Sequence, residues 1–126
     1  MGMTTSQLQT FKAQFFRALG HPVRIKILEI LVRGGRTVQE LQSALKLEQP
    51  IVSQQLAVLR NRNVVWTQKE GASVRYELRD PAVGDLLEVA RAEAFRLVRE
   101  GVLPPSLAHF LDAGGWERRF GLARVG

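Results

Sequence analysis

The sequence contains no cysteine. That excludes disulfides, thiolate metal ligands, cysteine nucleophiles and thiol redox sensing. Histidine is nearly as scarce. His21 and His109 are the only two, and neither has a companion at metal-ligand spacing or a nucleophile or carboxylate at catalytic spacing. No apolar run approaches the ~18 residues of a membrane span, and the N-terminus lacks the basic-then-apolar pattern of a secretory signal. Met1-Gly2-Met3 with Ser6 formally fits a myristoylation pattern, although Met3 reads as the better native start. No glycine-rich phosphate loop follows a strand, since Gly34-Gly35 falls between helices and Gly114-Gly115 near the tail. The expectation is a cytoplasmic, non-enzymatic protein with no cofactor, no metal and no membrane partner.

What is present fits one compact domain. The chain has 126 residues, 45% of them apolar, which is enough for a core. Its formal net charge is +6. In a domain this small, such an excess favours a polyanionic partner: DNA, RNA or an acidic membrane surface. Charge alone does not choose among them.

The informative stretch is Thr37–Arg62, TVQELQSALKLEQPIVSQQLAVLRNR. Thr37 and Glu40 have the spacing of a capping box. Val38, Leu41 and Leu45 continue as a helical apolar stripe. Lys46 and Leu47 leave that helix. Pro50 is suited to the first position of the next, where its missing N–H costs nothing. Val52, Leu56 and Leu59, at i, i+4 and i+7, form a buried face. Ser53, Gln54, Ala57 and Asn61 fall on the sides and back. That outer face is polar, short-chained and nearly free of acid, so it could lie against base edges without repelling phosphate.

The flanking sequence reads as support. In residues 5–19, Leu8, Phe11, Phe15 and Leu19 make an amphipathic first helix, with Phe16 widening its stripe. Gly20-His21-Pro22 interrupts it, and a second helix runs from Pro22 to about Arg33 with Val23, Ile27, Leu28 and Leu31 inward. After Asn63 the period changes to two. Val64–Gln68 and Val74–Leu78 read as strands around a turn at Lys69–Ser73. A hairpin placed straight after a candidate recognition helix is a wing, with Lys69 near its tip and Arg75 on its polar face. Asp80 can cap a long fifth helix from Pro81 to near Glu100, with Gly101 as C-cap. Its stripe comprises Leu86, Leu87, Ala90, Ala94, Leu97 and Val98, with Phe95 beside it. The expected organisation is mainly α with a small β-hairpin: a winged helix-turn-helix over residues 5–100, then an extension over 101–126 holding a short helix and a basic tail.

This element order, with Phe16–Arg24, Ile27-Leu28, Glu48–Leu56, Leu59-Arg60, Lys69–Gly71 and Val74–Tyr76, resembles the ArsR/SmtB family of bacterial winged-helix repressors. The likeness covers roughly residues 8 to 100. It implies a homodimer joined through the first and fifth helices. That interface would fall on Leu8, Phe11, Phe15, Leu86, Leu87, Ala90, Ala94 and Leu97. It also implies binding of double-stranded DNA at an inverted-repeat operator and release when an effector binds. Matched residue by residue, base contacts fall on Gln49, Ser53 and Gln54. Gln can pair bidentately with adenine, and Ser can donate or accept. Set against this, Ser53 could back-bond within its helix and Gln54 could be simply solvated. Backbone or wing contacts fall on Thr37, Arg60, Arg62, Lys69 and Arg75.

The sequence departs from the family's metal sensors. Where arsenic and cadmium sensors carry thiols on the third helix, this chain has Thr37-Val38-Gln39-Glu40-Leu41. Where zinc and nickel sensors begin Asp-x-His on the fifth helix, Asp80 is followed by Ala82. Glu93 falls near the second-half ligand position and Arg96 occupies its partner's place. No effector chemistry is legible in these residues. Two alternatives remain at this stage. One is a winged-helix module that docks on a protein, which acids such as Glu40, Glu48 and Glu70 would favour if they neutralised the basic surface. The other is a repressor controlled by an organic ligand at the dimer interface, in a pocket formed by Phe15, Phe16, Trp66 and Phe95.

Overall fold

The computed structural model describes residue 2 and residues 4–111. The basic tail from residue 112 onward lies outside the described residues. Helix α1 (Thr5–Leu19) is followed by α2 (Pro22–Leu31), α3 (Val38–Leu45) and α4 (Gln49–Asn61). Strands β1 (Val65–Glu70) and β2 (Ser73–Leu78) form an antiparallel hairpin, with Val65 opposite Leu78 and Glu70 opposite Ser73. Helix α5 (Ala82–Arg99), a 3-10 turn at Pro105–Leu107 and α6 (Ala108–Leu111) complete the order. This is a mainly helical winged helix-turn-helix fold.

α2 is the hub. It packs against α3, α4, α5, β2 and the end of α1. Four of its ten residues, Ile27, Leu28, Ile30 and Leu31, are buried. Ile30 was not among the expected inward residues, because a helix covered on several sides buries more than one stripe. Leu41, Val52, Leu56, Leu59, Val64 and Val65 close the core from α3, α4 and β1. Ala18 and Leu19 enter from α1, and Val83 from α5.

Local boundaries differ from the sequence reading in small, explicable ways. α2 stops at Leu31, and the Arg33 and Gly34 amides close a tight turn onto the Ile30 and Leu31 carbonyls. Gln49 takes the first position of α4 and Pro50 the second, where the missing N–H is equally harmless. The wing loop is two residues, Gly71-Ala72, rather than five. Gly71 has φ +61°, as the first position of a type II′ hairpin turn requires. An N-terminal capping box also starts α1. The Thr4 hydroxyl accepts from the Gln7 amide at 3.1 Å, and the Gln7 carboxamide accepts from the Thr4 amide at 2.7 Å.

One strand pairing is absent from the sequence reading. Arg36 and Tyr76 exchange backbone hydrogen bonds of 2.9 and 2.7 Å, which ties the wing to the corner between α2 and α3. Within one chain α5 packs on α2 and on the turns that follow it, and its first turns face α1 across a groove lined by Phe11, Phe15, Ala82, Val83 and Leu86. Its buried anchor is Val83, while Leu86 and Val89 are exposed.

Candidate nucleic-acid interface

The helix pair is set at both ends by backbone chemistry. The Thr37 Oγ1 accepts from the Glu40 amide at 3.2 Å, and a Glu40 carboxylate oxygen accepts from the Thr37 amide at 2.9 Å. That amide bond holds the Glu40 carboxyl below its ordinary range, assisted by the Thr37 hydroxyl and the charges of Arg75 and Arg36. At the other end Lys46 takes the left-handed conformation, φ 56° and ψ 45°, and its amide closes onto Gln42 at 2.7 Å. A non-glycine residue there costs on the order of 1 kcal/mol. Leu41, Val52, Leu56 and Leu59, all fully buried, hold that angle.

This geometry presents one side of α4 to solvent. Gln49, Ile51, Gln54, Ala57 and Asn61 are exposed, and Ser53 is half-buried at the edge of the same face. Gln55 is not available in this way, because its Oε1 accepts from the Arg24 guanidinium at 2.8 Å. No acid lies on the exposed face between Gln49 and Asn61. Glu48 stands exposed just before it and makes no side-chain cap.

The cations expected at phosphate divide into groups. Arg60 and Lys69 are exposed and form no ion pair among the described residues. The Thr37 hydroxyl accepts a cap bond, which leaves its own proton to donate. Arg75 is engaged within the chain. Its Nε donates to Glu70 at 2.8 Å and its Nη1 to the Gly35 carbonyl. The bond to Glu70 raises its pKa. Arg36 is likewise folded onto the Gly34 and Gly35 carbonyls at 3.0 and 2.9 Å. Arg62 caps α4 and lines a pocket with Gln14 and Arg17 of α1. Of the acids that could neutralise this surface, Glu40 is bound to Thr37 and Glu70 to Arg75.

Leu8, Phe11 and Leu86 are exposed, Ala90 is exposed beside them, and Phe15, Leu87, Ala94 and Leu97 are half-buried. Phe11, Phe15 and Leu86 flank an open groove of about 340 Å³ between α1 and the start of α5. The four aromatics expected to line a ligand pocket are not brought together. Phe15 lies in this groove, and Phe16 meets Phe15 edge-on at 5.6 Å. Trp66 lies under Arg79, and Phe95 under Arg99.

The family model for bacterial regulatory proteins of the arsR family matches residues 21–66, which span α2 to the start of the wing. The helix-turn-helix-type transcriptional regulator Rv0081 of Mycobacterium tuberculosis is 40% identical over 114 residues, 90% of this chain and 97% of that one. The chain belongs to the ArsR family of bacterial regulatory proteins. The crystal structure of Rv0081 superposes with a TM-score of 0.69 at 42% identity, covering 76% of this chain and 97% of that chain. A probable mercury resistance operon repressor of Streptomyces lividans is 40% identical over 82 residues, 65% of this chain and 66% of that one. A homodimeric winged helix-turn-helix DNA-binding domain from Mycobacterium bovis has the same fold, with a TM-score of 0.69 at 24% identity over 78% of this chain and 94% of that one.

As an ArsR-family member the chain is a DNA-binding transcriptional regulator. Asp80, Glu93 and His21 each bond a neighbouring residue. The Asp80 carboxylate accepts from the Ala82 amide at 2.9 Å, so it starts α5. Glu93 is held by Arg96 at 3.0 Å, and that bond lowers its pKa. His21 caps α2, its Nδ1 accepting from the Val23 amide at 3.1 Å. Among the described residues no group of three or more His, Asp or Glu converges, and no helix is long and apolar enough to cross a membrane.

Proposed function

We propose that this ArsR-family regulator is a homodimeric repressor that reads an inverted-repeat operator without metal. The observation that carries the reading is the outer face of α4. Gln49, Ser53 and Gln54 share an acid-free surface on the N-terminal half of a helix whose other side is anchored by Val52, Leu56 and Leu59. Such a helix enters a major groove with its first turns against base edges. Gln49 and Gln54 supply paired donors and acceptors for adenine, and Ser53 a single adaptable hydroxyl. Arg60, Lys69 and the Thr37 hydroxyl contact phosphate, whereas Arg75 positions the wing. The unit responsible is residues 5–100, and residues 101–126 are an extension of it.

Dimerisation is supported by the apolar surface left uncovered on α1 and α5: Leu8, Phe11 and Leu86, continued by Ala90, Ala94 and Leu97. A contiguous patch of that kind is what a second copy covers. Two α4 helices would then sit one DNA turn apart, ~34 Å, so the operator is two-fold. The absence of thiols, and the engagement of Asp80, Glu93 and His21 by their neighbours, support control by something other than a thiophilic metal.

The test is selection of bound duplexes from a random pool by the full-length chain, followed by sequencing. The expected product is an inverted repeat with half-site centres about 10 bp apart. Recovery of unrelated sequences, or of a single unpaired half-site, would overturn the reading.

A further inference from the structure

Arg17, Arg24 and Arg62 line one pocket together with Gln14, Ala18 and Val58. Three arginines therefore converge from α1, α2 and the end of α4, and among the described residues no acidic side chain lines the space. The pocket is about 150 Å³, roughly ten times the ~10–15 Å³ that one water requires.

Arg24 is the most heavily bonded of the three. Its Nε donates to the Ala18 carbonyl at 2.6 Å, and its Nη2 to the Arg17 carbonyl at 3.2 Å. These bonds compensate the negative C-terminal end of α1. Its Nη1 donates to Gln55 of α4 at 2.8 Å. A guanidinium carries five N–H donors, so two remain on Arg24. Arg17 and Arg62 are exposed and form no ion pair among the described residues. Cations gathered without an acid repel one another and are relieved by an anion.

We infer that this pocket binds a phosphate-class oxyanion. Arginines from three parts of the fold line it, and guanidinium donors arriving from separate directions suit the spread oxygens of a tetrahedral anion better than the single edge of a planar carboxylate. The oxyanion has two sources: a phosphate of the DNA backbone, or a free phosphate or phosphorylated metabolite. In either case Arg24 links the occupant to Gln55, the neighbour of Gln54 on the recognition helix. Occupancy therefore bears on how α4 is seated.

The experiment has two arms, each comparing the full-length chain with Arg17→Gln/Arg62→Gln. In the first, inorganic phosphate replaces chloride at constant ionic strength while thermal unfolding is followed. A free-anion site raises the melting temperature by about 5 °C once phosphate exceeds its dissociation constant about tenfold, and the double variant loses the rise. In the second, the salt dependence of duplex binding is measured. A backbone-phosphate site lowers the log–log slope by about 0.9 per pocket in the variant. Either result supports the site and names its source. An unchanged slope overturns it when wild type shows no phosphate-dependent rise, or when the variant keeps that rise. If the double variant does not fold, Arg17→Gln alone is carried through both arms. The DNA arm rests on the operator reading proposed above. The phosphate arm does not, so failure of wild type to bind DNA sinks that reading while leaving the pocket decided by melting.

Discussion

Gln54, Lys69 and Arg75 are all polar residues near the expected DNA surface, yet their surroundings assign them different work. Gln54 is exposed on α4 with its carboxamide free of the bonds that hold Gln55. Gln54→Ala is expected to remove about 1–3 kcal/mol of discrimination between operator and random DNA. Mobility shifts on the two DNAs check this, and equal losses on both would take Gln54 out of base readout. Lys69 is exposed near the wing tip. Lys69→Ala should weaken binding to every duplex about equally and lower the salt slope by about 1. Arg75 is spent on Gly35 and Glu70. Its replacement by alanine should lower the melting temperature, whereas Lys69→Ala should not. Calorimetric melts of the two variants separate a wing-positioning residue from a phosphate contact.

At the scale of elements, the capping box of α3 and the corner before it decide how α4 is held. Thr37→Ala removes an N-cap acceptor and should cost about 1 kcal/mol. The companion carboxylate gives this cap a pH dependence. Glu40 has a folded pKa below its unfolded one. Its contribution is therefore complete above the ordinary carboxylate range and is lost as pH falls through the folded value. Glu40→Gln should flatten the acid side of the stability curve below about pH 5 and change the slope little near neutrality. Urea unfolding at a series of pH values reads this directly, and an unaltered acid limb would contradict it. The corner itself depends on Gly35. A Cβ there would lie 2.7 Å from the Arg75 Cδ and Cγ and from the Glu77 Cγ. Those atoms are side-chain methylenes close to the β2 backbone, so making room requires new rotamers for Arg75 and Glu77 and breaks the Arg75 bonds to Gly35 and Glu70.

For the whole molecule, the decisive feature is the apolar surface that a single chain leaves open. Phe11 keeps 53% of its surface exposed and Leu86 38%. Because Phe11 contributes little to the monomer's core, Phe11→Glu should leave the melting profile nearly intact. It should also yield a monomer in sedimentation equilibrium and lose tight operator binding, since one reading head makes half the contacts. A variant that remained dimeric would move the interface away from α1.

The helices, their caps and the wing were legible because they are written in local signals. Three- and four-residue spacing marks Leu41, Val52, Leu56 and Leu59, T-x-x-E marks the start of α3, and alternation marks the hairpin. Residues 5–19 and 82–99 fell almost where their stripes placed them. The same local signals identified the outer face of α4, since helical geometry alone puts Gln49, Ser53 and Gln54 opposite the buried residues. The arginine partners were not legible in this way. Arg75 meets Gly35 across 40 positions, and Arg24 meets Gln55 across 31. A guanidinium is long and rich in donors. Its acceptor is whichever carbonyl or amide oxygen the finished fold brings within reach, and no spacing along the chain encodes that. The sequence alone therefore determined the elements and the exposed polar face of α4. Tertiary structure decided which cations face outward, which ones brace the wing, and that three of them surround one pocket.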